Sequence, residues 1–456
     1  MSLLLVLASL IGPTHATVTA AEQPRPSPPH LFVPVVPAGD LANVDFFLIT
    51  AGIGDDLASR FGHTGIRIRD RASGVDAVFN WGTFAFDEGS FAWKFFRGNV
   101  TYRLGVRTFE ADVRHFAADG RRLVQQALNL TPLQKRRLYE KIAWNAKPEN
   151  RSFPYQYWFK NCATIPRDYL DEAVDGQVRA RYFAQPGHGP FRSYVRTYLA
   201  RMPFVAPMLD IMMNGNIDRP ITAWEEMFLP ESLRSRLSAM TAVDDAGEPV
   251  PGSPLLGDVT VLADNPEHYA APVPDYFLLA APTVLPLGLA AFFWLAQRRR
   301  AALRALGAAT MGWAFVSGVI GTTLLLNWGF SGHVDGFANV NLLVFFPIDL
   351  LALPVGWRLF RSGEIQKDRH PFRLAMRYLT AAHFVAAALL ALLATVGVVT
   401  QDVSRVLVWY GTTMIWVLLG LSAVGLASWR PVGAMVQAPE APAGAHLTSR
   451  KLSPRR

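Results

Sequence analysis

Long apolar segments separate the second half of the chain from the first. Between residues 277 and 428 five segments of about 20 residues carry almost no charge, whereas residues 41–272 have the mixed composition of a globular domain. A helix rises 1.5 Å per residue, so about 20 residues cross a hydrocarbon layer roughly 30 Å thick. The pattern predicts a membrane domain over residues 273–430 with five transmembrane helices, at about 277–296, 305–326, 338–357, 378–399 and 406–428.

Short apolar runs in the first half predict strands. Val44–Thr50 is almost wholly apolar, and an alternating or β-branched pattern returns in three later runs, at residues 65–69, 75–81 and 100–106. Such runs are typical of strands with one or both faces buried. Together with the helix described next, they predict a single α+β domain over residues 41–272. Its last part, residues 244–274, is rich in Pro, Gly and Asp and is predicted to be a linker.

The segment from Thr131 to Gln134 predicts the start of a helix. Thr131 suits the N-cap, Pro132 the first helical position, and Gln134 completes a capping box. The apolar residues that follow predict a buried face, formed by Leu133, Leu138 and Ile142.

The N-terminus predicts export. Residues 1–21 contain a short apolar core followed by Val18-Thr19-Ala20, a pattern typical of a signal peptide; the alternative is a short buried helix. Residues 22–40 contain six prolines and are predicted to be a tether.

The positive charge of the chain orients the membrane domain. The net charge is +8, a balance that would otherwise favour nucleic acid as a partner. However, fifteen Lys and Arg residues lie in the connections after the first, third and fifth segments, and only Arg405 lies in the alternate connections, 327–337 and 400–405. Because positive loops stay in the cytoplasm, the N-terminal domain is predicted outside, the tail of residues 431–456 inside, and no nucleic acid as a partner.

Cys162 is the only cysteine, so no disulfide can form within the chain. A free cysteine is either a small buried side chain or a reactive thiol. Residues 155–168 are predicted to lead into a helix, with Thr164 as one candidate N-cap, which places Cys162 near the positive end of the helix dipole and favours the thiolate.

His63 is the predicted proton acceptor for this thiol. It lies between Gly62 and Gly65, just before a predicted strand, and its rivals are His115 and His188. Asn80, at the end of the next strand, is predicted to orient the imidazole. The alternatives are a structural histidine and an asparagine that forms a turn before Gly82. The chain has no HExxH or CxxC motif and no clustered histidines, so neither a metal nor another cofactor is predicted.

A set of spaced motifs resembles the Lnb-type bacterial lipoprotein N-acyltransferases, whose N-terminal domain is periplasmic. The motifs are FGHTGI at 61–66, FNWGTF at 79–84, FRGNVTYRL at 96–104, PENR at 148–151, YQYWFKNCATIPRD at 155–168, RPITAWEEMFLP at 219–230 and HVDGFANVNLL at 333–343. The family is similar to papain-like NlpC proteins and to lecithin:retinol acyltransferases, in which the histidine precedes the cysteine, as His63 precedes Cys162.

The resemblance implies acyl transfer at the outer face of a bacterial inner membrane. Cys162 would take an acyl chain from a phospholipid as a thioester, and the α-amine of a diacylglyceryl-cysteine at a lipoprotein N-terminus would receive it. His63 and Asn80 would serve catalysis. The partners are thus phospholipid, lipoprotein and bilayer. Possible substrate or lipid contacts are Asn161, Arg167, Asp168, His333, Asn339 and Asn341; for the last three the alternative is capping of helix ends.

Other functions use part of the same pattern. An NlpC-like peptidoglycan amidase or peptidase needs the Cys–His pair but not five spans. A phospholipase differs only in using water as acceptor, and a membrane-anchored binding protein needs no thiol.

Two further features remain open. An aromatic segment forms either the border of an acyl groove or lipid interface, or ordinary core; it comprises Phe84, Phe86, Phe91, Trp93, Phe95 and Phe96. Asp349, within the third span, is expected to face the bundle interior.

Overall fold

A computed structural model describes residues 41–84, 97–98, 101–202, 205–265, 275–295, 299–365 and 371–424. The predicted signal peptide, the tether, the cytoplasmic tail and the aromatic segment from Phe86 to Phe96 lie outside these residues. The chain divides into two compact units. The first comprises Met1–Leu279, Val319–Pro347 and Leu390–Leu407, and the second comprises Ala280–Gly318, Ile348–Leu389 and Val408–Arg456.

The first unit is built on an antiparallel sheet of seven strands in the order β6-β4-β3-β2-β1-β5-β9. A separate pair is formed by β7 and β8. The strands are β1 Val44–Ala51, β2 His63–Asp70, β3 Asp76–Phe84, β4 Thr101–Thr108, β5 Leu123–Ala127, β6 Ser152–Pro154, β7 Thr241–Val243, β8 Pro249–Pro254 and β9 Thr260–Ala263. The four strands predicted from the apolar runs coincide with β1 to β4, and the mixed α and β composition of this domain is confirmed.

Eight α-helices are described between β4 and the apolar half of the chain. They are α1 Phe109–Ala118, α2 Pro132–Ala146, α3 Thr164–Ala173, α4 Gln177–Tyr182, α5 Phe191–Tyr198, α6 Val205–Met212, α7 Ala223–Glu226 and α8 Pro230–Ser238. Short 3-10 helices lie at Leu41–Asn43, Gly215–Ile217, Val334–Gly336, Val340–Leu343 and Pro347–Ala352.

The two faces of the sheet pack against different helices. Phe46 and Ile66 share one buried cluster with Leu138 of α2 and Leu170 of α3. On the opposite face, Val78 packs with Phe116 of α1 in a second cluster. Because side chains alternate along a strand, the even-numbered residues of β3, including Asn80, point towards α1.

Helix α2 begins as predicted, but its buried face differs. Thr131 caps the helix and forms the capping box with Gln134. Leu138 and Ile142 are fully buried, whereas Leu133 is 41 % exposed. Leu133 lies five residues before Leu138, about 140° away around the helix at 3.6 residues per turn. Gln134, four residues before Leu138, takes the inward position instead and is buried.

The predicted linker over residues 244–274 contains two strands, so this prediction is wrong for residues 249–254 and 260–263. Pro249–Pro254 pairs with β7, and Thr260–Ala263 pairs with β5 at the edge of the main sheet. The run Val259–Ala263 is rich in β-branched and apolar residues, which favour a strand although Pro and Gly precede it.

The apolar half forms helices α9 Asp275–Leu295, α10 Arg300–Phe330, α11 Leu353–Ser362, α12 Pro371–Thr395 and α13 Ser404–Ala423. In the described part of the chain, three segments are long and apolar enough to span a membrane: Arg300–Phe330, Leu374–Thr395 and Ser404–Ser422. The count rises to four if one bent pair is a single span. The count of five stays a prediction, with α9 at the place expected for the first span.

The third predicted span, residues 338–357, is not one continuous helix. It is divided between Val334–Leu343 and Pro347–Ser362, which meet at 48°. Pro347 has no N–H to continue a helix, and Ala338 has φ of +48°, a left-handed conformation that ends regular helix. A uniformly apolar pattern does not reveal this break.

In the second unit Asp349 is fully buried, as expected for an interior carboxyl group. Ser317 Oγ donates to its Oδ2 at 2.5 Å, and His383 Nε2 lies 2.8 Å from its Oδ1. The phenol of Tyr410 contacts the other nitrogen of His383. These neighbours satisfy a polar group that apolar surroundings alone would strongly disfavour.

Candidate active site

His63 begins β2 at the end of the sheet. Gly62, just before it, has φ of +84°, and a Cβ at Gly62 would lie 3.0 Å from the carbonyl oxygen of Ala51. Glycine is therefore required for the chain to turn tightly into the strand. In the sheet, His63 is paired with Ala51 of β1.

Asn80 of β3 binds the imidazole of His63. Asn80 is paired with Gly65, so His63 is its diagonal neighbour on the same face. Asn80 Oδ1 lies 2.9 Å from His63 Nε2. Since Asn80 lies inside a strand, the alternative that it forms a turn before Gly82 is wrong.

Asp112 of α1, which was not among the residues predicted from the sequence, fixes the orientation of the Asn80 amide. Asn80 Nδ2 donates to Asp112 Oδ1 at 2.9 Å, which directs Oδ1 of Asn80 to the imidazole. His63 then carries its proton on Nε2, and Nδ1 is left as the basic nitrogen. The available signal was an acidic residue between Phe109 and Phe116 on the apolar face of an amphipathic helix; Asp112 is 1 % exposed.

His63 is a neutral base. Burial lowers its pKa to about 4, an effect that the Asn80 hydrogen bond opposes and the charges of Arg121 and Arg107 reinforce. At neutral pH the ring therefore has a free electron pair to accept a proton.

Cys162 lies just before α3, held in place by Asn161. Asn161 Oδ1 accepts the N–H groups of Ala163 and Thr164, each at 2.9 Å. Its Nδ2 donates to the carbonyl oxygens of Tyr157 and Phe228, at 2.9 and 3.0 Å. Every polar group of the Asn161 side chain is thus used to shape the loop. Thr164 is the first helical residue and not the N-cap, which is Ala163.

The thiol of Cys162 is adjacent to His63 in the fold. It accepts a hydrogen bond from the backbone N–H of Thr64, the residue that follows His63. A Cβ at Gly82 of β3 would lie 3.7 Å from the Cys162 Cβ. The three segments that carry His63, Asn80 and Cys162 therefore meet at one end of the sheet.

The resting thiol is protonated. Burial raises the pKa of Cys162, and the Thr64 N–H and the charge of Arg121 only partly offset that rise. Burial therefore opposes the thiolate that the helix terminus is expected to favour.

The two rival histidines have other partners. His115 Nε2 lies 3.7 Å from Asp119 at the surface. His188 Nδ1 lies 2.7 Å from Glu226, and the His188 side chain is 82 % exposed.

Arg167 and Asp168 bind each other on α3. Arg167 Nη2 donates to Asp168 Oδ1 at 2.7 Å, and Nη1 donates to the carbonyl oxygen of Trp224 at 2.8 Å. The guanidinium also lies 3.9 Å from the centre of the Trp224 ring. These contacts fasten α3 to α7 and account for a buried arginine without a substrate.

The segment of residues 331–343, here called the outer loop, belongs to the same unit as the sheet. Asn339 and Asn341 are buried and both donate their amide to the carbonyl oxygen of Ile211, at 2.9 and 2.8 Å. They anchor the outer loop to α6. His333 is partly exposed, and its ring lies 6.1 Å from that of Tyr157.

A second contact connects the outer loop with the segment before Cys162. Trp158 Nε1 donates to Asp335 Oδ2 at 2.9 Å. Since Tyr157 also accepts the amide of Asn161, the outer loop lies next to the chain that positions the thiol. Of the three outer-loop residues predicted to contact substrate, His333 is the one near this position.

Within the described ranges, no group of three or more His, Cys, Asp or Glu side chains is arranged to hold a metal ion. The donor set at Cys162 consists of one thiol, one imidazole and one amide, which suits nucleophilic catalysis.

Comparison with known proteins agrees with the earlier resemblance. A family model described as the Lnb N-terminal periplasmic domain matches residues 38–198, which include His63, Asn80, Asp112 and Cys162. No curated protein and no solved structure matches the chain. Residues 38–198 therefore resemble the Lnb N-terminal periplasmic domain, and the later part of the chain contains helices that are long and apolar enough to span a membrane.

Proposed function

We propose that the protein is a membrane-bound acyltransferase. It moves an acyl chain from a phospholipid to Cys162 and then to the α-amine of the N-terminal diacylglyceryl-cysteine of a bacterial lipoprotein. The observation that carries the proposal is the oriented His63–Asn80 pair beside a thiol that lies next to Thr64. The match of residues 38–198 to the Lnb N-terminal periplasmic domain supports lipoprotein as the substrate class. A papain-like relationship agrees with the order of His63 and Cys162.

The first half-reaction acylates the thiol. As the sulfur attacks the ester carbonyl carbon, His63 Nδ1 takes the thiol proton. Collapse of the tetrahedral intermediate breaks the ester C–O bond, and His63 returns the proton to the lysophospholipid oxygen. The N–H groups of Ala163 and Thr164 are occupied by Asn161. The N–H groups of Thr64 and Cys162 are therefore the proposed donors to the oxyanion.

The second half-reaction forms the amide. The neutral amine of the lipoprotein attacks the thioester carbon, and neutral His63 accepts a proton from the amine nitrogen. Breaking the C–S bond releases the sulfur, which recovers the proton from His63. A thioester is less stable than an amide, so transfer is downhill. A base with a pKa of about 4 remains unprotonated at neutral pH and is available for this step.

The membrane region brings the domain to its substrates. Both substrates are anchored in lipid, and lifting an acyl chain into water costs roughly 0.8 kcal/mol per CH₂. Within the first unit, Asn214 N–H donates to the outer-loop carbonyl of Asp335 at 2.6 Å, and Arg196 pairs with Asp402 at 2.7 Å. Both predicted outer connections thus contact the sheet domain. This agrees with a domain outside the inner membrane and a cytoplasmic C-terminus.

Mass spectrometry of lipoprotein N-termini tests the proposal. Cells with the protein are expected to contain triacylated lipoproteins, and cells without it, or with Cys162→Ser, diacylated ones. Arg69→Gln, a half-buried substitution on the sheet that removes an ion pair with Asp45, serves as the control. Unchanged acylation without the protein would contradict the proposal. Equal release of free fatty acid from purified protein with and without lipopeptide would indicate a phospholipase, and cleavage of peptidoglycan an NlpC-like hydrolase.

A further inference from the structure

Arg121 is a buried cation with little neutralisation. It lies between α1 and β5 and is 5 % exposed. Its Nε donates to the carbonyl oxygen of Gly52 at 2.8 Å, while its buried Nη2 has no hydrogen-bond partner among the described residues. No carboxylate in that part of the chain forms an ion pair with it within 4.0 Å. Buried charges are normally paired, so this one requires an explanation.

The position of Arg121 relates it to the active site. Gly52 follows Ala51, the cross-strand partner of His63. The guanidinium carbon lies 4.9 Å from the centre of the Phe116 ring, and the His63 ring lies 5.7 Å from the same ring. Its charge acts on both reacting groups, lowering the pKa of Cys162 and that of His63.

We propose that Arg121 is the counter-charge of Cys162: it remains unpaired while the thiol is neutral and stabilises the negative charge that the sulfur acquires when its proton leaves. The proton passes to His63 Nδ1, and the S–H electron pair stays on sulfur as the nucleophile. Arg121 is thus a positioning residue that acts through the thiol, and no ligand other than the substrates is required.

This role follows from the charge requirements of the two half-reactions. Attack on the ester needs a sulfur that ionises easily, whereas attack by the amine needs an imidazole that is neutral. A positive charge beside the sulfur stabilises the thiolate, and it keeps the imidazole neutral until the proton is transferred. Asn80 cannot do this, since it orients the ring and its hydrogen bond raises the pKa of His63.

Other titratable groups around the pair do not replace Arg121. Cys162 is also near the phenols of Tyr102 and Tyr155, whose pKa values are raised by burial and by the nearby sulfur. Arg121 is near Asp119 and His115. Of these neighbours of Cys162, Arg121 is the one with a permanent positive charge.

The test measures the pH dependence of Cys162 alkylation by iodoacetamide in the full-length protein. Because Cys162 is the sole cysteine, the modified site is unambiguous. Arg121→Gln is expected to raise the apparent pKa of the thiol by about 1–2 units, the order of magnitude of an interaction between two unit charges in a partly buried site. Arg121→Lys is expected to retain most of the wild-type profile, and Arg69→Gln all of it. An unchanged profile in Arg121→Gln would overturn the proposal.

Acyl transfer provides a second readout, which rests on the proposed function. Arg121→Gln is expected to lower kcat about 10- to 100-fold with little change in the KM for phospholipid. A loss confined to the KM for phosphate-bearing donors, absent with a neutral acylglycerol, would overturn the proposal in favour of phosphate binding. Alkylation does not require an acyl substrate, so failure of the transferase proposal leaves the first test valid.

A pair of variants that preserves Arg121 covers the case in which its substitution prevents folding. Cys162→Asp places a fixed negative charge at the thiol position, and Cys162→Asn is its neutral match. At pH 8 the Asp variant is expected to have the higher thermal unfolding midpoint, because the carboxylate pairs with Arg121. A higher midpoint for the Asn variant would contradict the proposal.

Discussion

Asn80 Oδ1 lies 2.9 Å from His63 Nε2, and the same amide donates through Nδ2 to Asp112 Oδ1, also at 2.9 Å. Through Asn80, the buried carboxyl group on α1 therefore determines how the imidazole on β2 is held. Because an amide has one acceptor end and one donor end, the carboxyl group selects which end faces His63. The consequence is a fixed tautomer with Nδ1 as the base.

Substitutions of His63 and Asn80, two members of this hydrogen-bonded series, should lower activity to different extents. His63→Ala is expected to reduce acyl transfer by roughly 10²–10⁴-fold, since a general acid–base group is lost. Asn80→Ala should have a smaller effect, because orientation is only part of that contribution. The measurement is kcat with a lipopeptide acceptor. Full activity of His63→Ala would redirect attention to His115 or His188.

Asp112→Ala tests whether the carboxyl group acts through Asn80. We expect about a tenfold loss of kcat, and little further loss when Asp112→Ala is combined with Asn80→Ala, since residues of one network are not additive. Asp45→Asn, which affects a surface ion pair with Arg69, is the control. Independent, additive losses would show that Asp112 does not act through the amide.

Cys162→Ser should abolish transfer while the domain stays folded, because the change is nearly isosteric. In wild-type protein incubated with phospholipid but no acceptor, intact mass spectrometry should detect one acyl chain on Cys162 that hydroxylamine removes. Retention of full transfer by the Ser variant would exclude a thioester intermediate.

The pH–rate profile should show the depressed pKa of His63. Protonation removes the base, so the acidic limb of kcat/KM for thiol acylation should lie near pH 4, and not near the ordinary value of 6.5. Activity should therefore persist as the pH falls from 7 towards 5. An acidic limb centred near 6.5 in wild-type protein would contradict the buried, neutral imidazole.

In the outer loop, residues that stabilise the fold can be distinguished from a residue that contributes to transfer. Asn339→Ala and Asn341→Ala remove buried donors to the Ile211 carbonyl and should each lower the free energy of unfolding by about 1–3 kcal/mol. His333→Ala should leave that free energy nearly unchanged but reduce transfer on liposomes. Loss of stability in His333→Ala, with normal transfer, would make it a structural residue.

Local sequence determined much of this protein. Thr131 and Gln134 are three residues apart, so they specify a helix start without any distant partner. Strands β1 to β4 could be predicted from the period of their apolar residues, and the long apolar helices from the length of their uncharged segments. The single cysteine and the histidine before it also indicated the proposed nucleophile and base, since few side-chain types can serve these functions.

The tertiary structure decided which of these groups meet and in what ionisation state. Asp112 and Arg121 join the site only because α1 packs on the face of the sheet that carries Asn80, and no pattern near Cys162 reveals them. Burial likewise raises the pKa of the Cys162 thiol, and packing against α6 brings the amides of Asn339 and Asn341 to the carbonyl oxygen of Ile211. Periodicity reports which face of an element is apolar, whereas pKa values and hydrogen-bond partners depend on atoms that are remote in sequence.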